Sequence, residues 1–570
     1  MATTAASPAL LPPLHTLRDV LRAAPLRLEV PGVVQARTIR EETVAQLDDY
    51  VIPRVREVDA PLLAVVGGST GAGKSTLVNT LVGRSVSASG VLRPTTRSAV
   101  LVHHPDDAPW FGPDRLLPDL ARTDAPSTDV GELQLVPAAT LPQGLALLDA
   151  PDVDSVERAN RVLATQLLAA ADLWLFTTSA ARYADQVPWE FLKAAAERST
   201  AVAVVLDRTA PGSVQEIRSH LGEMLQQHGL GSSLLFAVPE AAVDADGLLP
   251  AEAVAPVREW LDSVAADAAA RTAIIEQTLR GAVRQVVVRA EQVADAVEEQ
   301  ERTTDVLADD AARTYERSID EVEKVTADGS MLRGEVLARW QDFVGAGGLT
   351  RSLEQRVGWV RDRIRAGLTG RPAPSTPVEH AVQHGLHTLL VEQGEDAAER
   401  TAAAWSSTEP GRVLLASEPS LGRASRALSE RSELLVRDWQ SGILEMVREE
   451  GQDKRTTARF LAYGINGLGV ALMVLVFSQT AGLSGGEVGV AGGTALLAQR
   501  VLEAVFGDQA VRTLAARAHR DLLQRTEELL YAERDRFFDV LDAVGAGEGS
   551  GADLRQAAHG LEQVRTAGAA

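Results

Sequence analysis

Ala64-Val65-Val66-Gly67-Gly68-Ser69-Thr70-Gly71-Ala72-Gly73-Lys74-Ser75-Thr76 sets the architecture of the first half of this chain. It fits G-x-x-x-x-G-K-[ST] at Gly68, Gly73, Lys74 and Ser75. The apolar run Pro61 to Val66 leads in as a buried strand, and Leu77-Val78-Asn79-Thr80-Leu81 follows with helical spacing. Strand, loop and helix in that order form a phosphate cradle. Glycines let backbone N–H groups turn inward, and the helix start adds its positive end. On this reading Gly68, Ser69, Thr70, Gly71, Ala72, Gly73, Lys74, Ser75 and Thr76 surround a nucleotide's phosphates. Lys74 reaches the outer phosphates and Ser75 ligates Mg²⁺. The competing reading is a Gly-rich turn before an ordinary helix.

Around this loop, from about 57 to 270, short apolar runs alternate with helical stretches. Expected strands are Leu62–Val66, Ser98–His103, Glu132–Val136, Leu145–Asp149, Leu173–Thr177, Val202–Asp207 and Leu234–Val238. Expected helices begin near Lys74, Ser155, Val187, Ser213 and Ala251. Such alternation predicts a mainly parallel sheet with helices on both faces and a ligand at the strands' carboxyl ends.

Three further stretches belong to the candidate site. Leu145-Ala146-Leu147-Leu148-Asp149 ends in the carboxylate expected to share Mg²⁺ with Ser75. Asp149-Ala150-Pro151-Asp152 occupies the place of a D-x-x-G element, with Asp152 instead of glycine. Arg93-Pro94-Thr95-Thr96-Arg97 offers a threonine to the metal; Thr96 is favoured over Thr95. Val204-Val205-Leu206-Asp207-Arg208-Thr209-Ala210 ends the strand facing the base. The guanine-reading pattern [NT]-K-x-D has Ala210 at its fourth position here, so Asp207 and Arg208 are the base-side candidates. These residues by themselves do not separate GTP from ATP.

Outside 57–270 the chain reads as helical. Residues 14–56 form one or two helices, broken near Pro25 and Pro31. Ile274–Val325 reads as a long neck helix, followed by helices over Met331–Leu368, Val378–Trp405, Arg423–Arg459 and Leu522–Val544. Pro372, Pro374 and Pro377 mark a break, and the tail from Gly545 reads as frayed. Phe460 to Gly486 contains no charged residue, and Phe460–Ser478 has the length of one bilayer crossing. Val488–Gln499 is uncharged but shorter. Lys454, Arg455 and Arg459 precede the pair, and Arg500 and Arg512 follow it. That pattern fits a hairpin that dips into a membrane and returns. A buried hairpin in a soluble bundle is the other reading.

The bulk composition sets limits. A net charge of −22 disfavours a general nucleic-acid binder, so no nucleic acid is expected as partner. The absence of cysteine removes disulfides, thiol nucleophiles and thiolate metal sites. His103-His104 lacks a spaced partner and reads as strand-end packing. The start of the chain shows no secretory pattern, which places it in the cytoplasm on this reading.

The sequence resembles the bacterial dynamin-like proteins, large membrane-remodelling GTPases. GGSTGAGKSTLVNTLVG, RPTTR, LLDAPDVDS and LDRTAP are similar to their four motifs as found in high-GC bacterial members. The resemblance implies an α/β P-loop GTPase domain plus a long α-helical neck and trunk bundle with a hydrophobic membrane-binding hairpin. It divides the chain into N-terminal helices (1–56), GTPase domain (57–270), neck and trunk (271–455), membrane-inserting hairpin (456–510), and return helix with flexible tail (511–570). It implies GTP hydrolysis with Mg²⁺ held at Ser75, Thr96 and Asp149, and lipid bound through 460–505 at the inner face of the cell membrane. The partner would be a second GTPase domain or a related chain. Many dynamins place a catalytic Gln and then Ser in the loop; Thr70 and Gly71 stand there, which makes Lys74, Thr96 and Thr70 the catalytic candidates. The alternatives are a soluble regulatory or ribosome-associated GTPase, and a nucleotide-binding membrane scaffold with little turnover.

Overall fold

The computed structural model describes residues 8–88, 98–113, 115–127, 129–197, 200–210, 212–328, 331, 336, 338–340, 376–452, 457–478, 490–545 and 549–567. The chain forms two compact units. The first comprises residues 1–26, 31–299 and 547–570; the second comprises 27–30 and 300–546.

In the first unit, α1 (Leu11–Ala23) and α2 (Val33–Gln46) precede a wide helical turn, Leu47–Val51, and a short α3 (Ile52–Arg56). Then come β1 (Leu62–Gly68), α4 (Lys74–Val82), β2 (Ala99–His103), β3 (Ala121–Thr123), β4 (Glu132–Pro137) and β5 (Leu145–Asp149). They are followed by α5 (Arg158–Ala169), β6 (Leu173–Ser179), α6 (Gln186–Glu197), β7 (Ala201–Thr209), α7 (Val214–Gln227), β8 (Leu234–Pro239) and α8 (Ala251–Ala266). The eight strands make one sheet in the order β3-β4-β2-β5-β1-β6-β7-β8. Every neighbour pair is parallel except β2 with β5. The short β3, absent from the sequence expectation, has only Ala121-Arg122-Thr123 and no apolar run to announce it.

β1 lies at the centre of this sheet and is buried along its whole length. Its alternate residues serve opposite faces. Leu62, Ala64 and Val66 pack with Leu77, Val78 and Leu81 of α4 and Val257 and Leu261 of α8. On the other face, a side chain at Gly67 would meet Leu168 of α5. A central strand covered on both faces needs an unbroken apolar run, which is what the sequence supplies. Pairing register brings Val66 level with Asp149, Gly68 level with Thr177, and Ser179 level with Asp207. The carboxyl ends of β1, β5, β6 and β7 therefore share one edge, and the Gly-rich loop opens there.

The N-terminal helices are tied to this sheet by polar groups. Arg54 and Asp172 form a fully buried ion pair, with Arg54 Nε 3.0 Å from Asp172 Oδ1. Tyr50 donates its hydroxyl to the same carboxylate at 3.0 Å, and the Leu63 amide does so at 2.8 Å. Asp49 is buried too; one oxygen accepts from Gln166 Nε2 at 2.9 Å and the other has no partner. Burial pushes its carboxyl up to about 6.

The long α9 (Ala268–Ala327) contributes its residues to Glu299 to the first unit and the remainder to the second. The second unit adds α10 (Thr376–Ser406), α11 (Glu409–Ser417), α12 (Leu428–Gln452), α13 (Thr457–Val476), α14 (Val490–Phe506) and α15 (Asp508–Gly545). Its core joins Val378, Leu386 and Leu390 of α10, Trp439 and Ile443 of α12, and Leu514 and Leu522 of α15. Trp439 completes its burial by donating Nε1 to the Ala518 carbonyl at 2.9 Å.

Two expectations change here. The apolar segment read as bilayer-facing supplies this core: every residue from Leu468 to Phe477 is buried. α13 is also interrupted at Gly464, where φ is 69° and ψ is 155°. The run beyond that kink measures only about 18 Å at 1.5 Å per residue. Among the described residues no helix is long and apolar enough to cross a membrane. The second change concerns the tail, read as flexible. It contains α16 (Gly551–Ala567), in the first unit. Ser550 and Asp553 bond reciprocally at its start, Ser550 N to Asp553 Oδ2 at 3.0 Å and Asp553 N to Ser550 Oγ at 3.1 Å. Leu554, Ala557, Ala558 and Leu561 repeat at helical spacing and are buried. Small residues obscured that stripe in a Gly/Ala-rich sequence. Residues 332–335, 337 and 341–368 of the expected Met331–Leu368 helix, and most of the Pro-rich break, lie outside the described residues.

Candidate functional site

Gly68 and Gly73 occupy backbone conformations that suit glycine, with φ of 147° and 88°. A Cβ at Gly68 would fall 1.9 Å from the Thr177 carbonyl oxygen of the adjacent strand. Gly73 is the left-handed residue from which α4 starts, and its carbonyl accepts from the Leu77 amide at 2.8 Å. Lys74, the first residue of α4, is buried and folds back over the loop. Its Nζ donates to the Gly68 and Ser69 carbonyls, each at 3.1 Å, and to the carboxylate of Asp152. Ser69 is fully buried and its hydroxyl has no partner.

Ser75 and Asp149 meet as the spacing implied: Ser75 Oγ donates to Asp149 Oδ2 at 2.6 Å. Ser87, which the sequence did not single out, donates to the same oxygen at 2.5 Å. The other oxygen, Oδ1, is buried without a partner. Burial raises the Asp149 carboxyl above the usual range, while the bonds from Ser75 and Ser87 oppose that rise. A hydroxyl beside a carboxylate with an unused oxygen suits Mg²⁺, which takes few protein ligands and completes its shell with waters and phosphate oxygens. Thr96, the third expected ligand, lies outside the described residues, as do Thr95 and Arg93.

The segment after β5 grips the loop at two points. Its backbone is pinned to β1 through Ala150 N to Val66 O at 3.2 Å and Val153 N to Gly68 O at 3.3 Å. Asp152 then takes Lys74. Two residues on, Asp154 Oδ1 accepts from both the amide and the hydroxyl of Thr70, at 2.6 and 2.7 Å. Its second oxygen lies 2.8 Å from a guanidinium nitrogen of Arg182. Although burial works against it, the Thr70 bonds and the Arg182 charge hold the Asp154 carboxyl below its ordinary value. Thr70, expected to act on the reaction, is thus engaged by Asp154. The alternation Asp149, Asp152, Asp154 was the available signal; sequence reading used its first member and noted the second only as a departure.

On the expected base side, Asp207, near the end of β7, lies close to the loop: a Cβ at Gly73 would lie 2.1 Å from Asp207 Oδ2. Burial raises this carboxyl. The next residue, Arg208, has φ of 54°, and the β7–β8 register shifts between Leu206 and Thr209. That bulge turns the chain so that Asp207 points to the loop while Arg208 is exposed. Asp207 is brought to the sheet's carboxyl edge beside the Gly-rich loop; Arg208 borders it with Nε 3.8 Å from Asp207 Oδ2. Thr76 continues α4, and Gly71 and Ala72 complete the loop, with Ala72 N bonded to Ser69 O at 3.1 Å.

No family model matches this sequence, and no curated protein matches it. Similar solved structures do exist. Two come from work on an oligomerised bacterial dynamin pair and the long-range sensing and tethering of membranes. One is 11% identical and covers 95% of each chain with a TM-score of 0.38. The other is 10% identical and covers 97% of this chain and 94% of that one, with a TM-score of 0.37. A third, the LeoA bacterial dynamin GTPase from ETEC, is 11% identical over 99% of this chain and 98% of its own, with a TM-score of 0.24.

Proposed function

We propose that this chain binds GTP with Mg²⁺ and hydrolyses it, and that hydrolysis is coupled to membrane association, as in dynamin-like GTPases. The observation that carries the first part is the Lys74 environment. A buried ammonium curled over the carbonyls of its own Gly-rich loop, at the carboxyl edge of a parallel sheet, is a phosphate receptor. Asp152 holds the place that an incoming phosphate would take on Lys74. Ser75 and Asp149 would hold Mg²⁺, which when bound neutralises charge between the outer phosphates. The loop amides orient the phosphate chain, and Asp207 and Arg208 flank the base.

Hydrolysis needs positioning and charge stabilisation more than covalent participation by the protein. Lys74 contributes one fixed charge. Membrane association would fall to the stretch after Phe477, since Leu468 to Phe477 are core. Support comes from Leu496 and Leu497 on α14, which are 51% and 39% exposed, next to an uncharged sequence. A second GTPase domain, from another copy or a related chain, would be the partner that speeds turnover. GTP and ATP hydrolysis, measured with and without liposomes at several protein concentrations, tests all of this. GTP turnover should exceed ATP turnover and rise with lipid. Lys74→Ala should lower turnover by roughly 10²–10³-fold, the range for losing one preorganised donor. An unchanged rate would move the site elsewhere.

A further inference from the structure

As the terminal phosphoryl group transfers, charge builds on its oxygens, and a cation beyond Lys74 and Mg²⁺ would help answer it. Arg182 is placed to do so. It sits in the turn between β6 and α6, with Arg182 N bonded to Ser179 O at 2.9 Å and Asp185 N to Arg182 O at 3.1 Å. The far side of this turn is stitched down by Trp189 Nε1 to Tyr183 O and by Tyr183 with His220 Nδ1, both 2.9 Å. From this fixed base its guanidinium reaches the Gly-rich loop and donates to the Thr70 carbonyl at 2.8 Å. Asp154 and Asp185 hold its remaining nitrogens, each at 2.8 Å. The head is not sealed in a core: the side chain is 37% exposed.

An ordinary surface ion pair would not need this wiring. Both cations at the loop are held by carboxylates of one short segment, Lys74 by Asp152 and Arg182 by Asp154. A phosphate on Lys74 would compete with Asp152 for it, and Asp154 lies two residues along the same segment. We propose that Arg182 then exchanges Asp154 for an oxygen of the terminal phosphoryl group and acts as the catalytic cation of this chain, supplied in cis. The inference rests on the phosphate-binding role proposed for the Lys74 loop. In the reaction, water oxygen bonds to the terminal phosphorus and the bond from that phosphorus to the bridging oxygen breaks. The electron pair stays on the departing diphosphate. One proton of the water goes to solvent and the other remains on inorganic phosphate. Arg182 neutralises charge spread over the phosphoryl oxygens during that exchange and forms no covalent bond.

The full-length protein, Arg182→Ala and Arg182→Lys are compared for GTP turnover, for GDP affinity, and for affinity for GDP with aluminium fluoride, a mimic of the transferring group. Arg182→Ala should lower kcat by about 10²–10³-fold. GDP affinity should stay within about threefold, and the extra affinity that aluminium fluoride confers should disappear. Added guanidinium ion at millimolar concentration should restore part of the rate. Arg182→Lys keeps the charge without the fork and should fall between the two; it carries the test if the alanine variant does not fold. Equal losses of GDP affinity and kcat would mean that Arg182 only shapes the loop, and would overturn the proposal, as would an unchanged kcat. Failure of the underlying site shows differently: wild-type protein would bind no GDP, and Lys74→Ala would change nothing.

Discussion

β1 and the latter half of α13 are both uninterrupted apolar runs, and both are buried from end to end. What separates them lies at their ends. β1 delivers the chain into a loop crowded with buried polar atoms: Ser69, Lys74, and across from them Asp149 and Thr177. The latter half of α13 follows a glycine kink, and Leu468 to Phe477 are buried against Trp439, Leu514 and Leu522, an apolar surround. Apolar length measures how thoroughly a segment is covered. It does not distinguish lipid, helix or sheet as the cover. Polar groups held at fixed offsets do make that distinction, because burying them without partners costs about 1–3 kcal/mol each.

The comparison can be broken from either side. The largest effect is expected at Gly68→Ala. The added Cβ meets the Thr177 carbonyl at 1.9 Å, and backbone rather than a pliable side chain must give way. Loss of more than about 3 kcal/mol by chemical denaturation, together with loss of nucleotide binding, is the expected outcome. A neutral result would mean that the loop is not braced by β6. Leu472→Ala follows, with an expected loss of about 2–5 kcal/mol in the absence of any lipid. If instead stability in solution is unchanged and liposome binding falls, α13 is a membrane element and its likeness to β1 ends.

The smallest effect probes polar burial. The folded Asp49 carboxyl, at about 6, lies above its unfolded value near 4. Its ionisation therefore costs stability above pH 6, and that cost fades as pH falls toward 4. Asp49→Asn should stabilise the first unit by about 1–3 kcal/mol at pH 7 and by almost nothing at pH 4. Thermal melts across that range would show a gain independent of pH if the unpartnered oxygen, rather than the charge, were responsible.

Legibility from sequence followed the same divide. The strands around the loop were readable because their apolar runs are short and bounded by turn residues; β3, with a single Arg between Ala and Thr, carried no such pattern. The Ser75–Asp149 pair was readable because a G-K-[ST] loop and an apolar strand ending in Asp have a known spatial relation. Asp154 and Arg182 were not, since their meeting depends on β1, β5 and β6 being neighbours in the sheet. The bulge at Arg208 was legible only as a misfit to a base-reading pattern. Segment 468–477 misled because an apolar run reads the same whether lipid or the neighbouring helices α12, α14 and α15 cover it.

The first unit takes its strands from the early part of the chain, yet α16, its last helix, packs against α1 and pairs Arg555 with Asp295 and Glu298. The second unit is spelled out almost entirely between those two contributions. On a ribosome, which releases polypeptide in order, the Gly-rich loop emerges early but its unit stays unfinished until α16 arrives. The helical unit is the one whose residues are all available sooner. A nascent chain thus holds an open seam along α1 until α16 has emerged, after the whole helical unit.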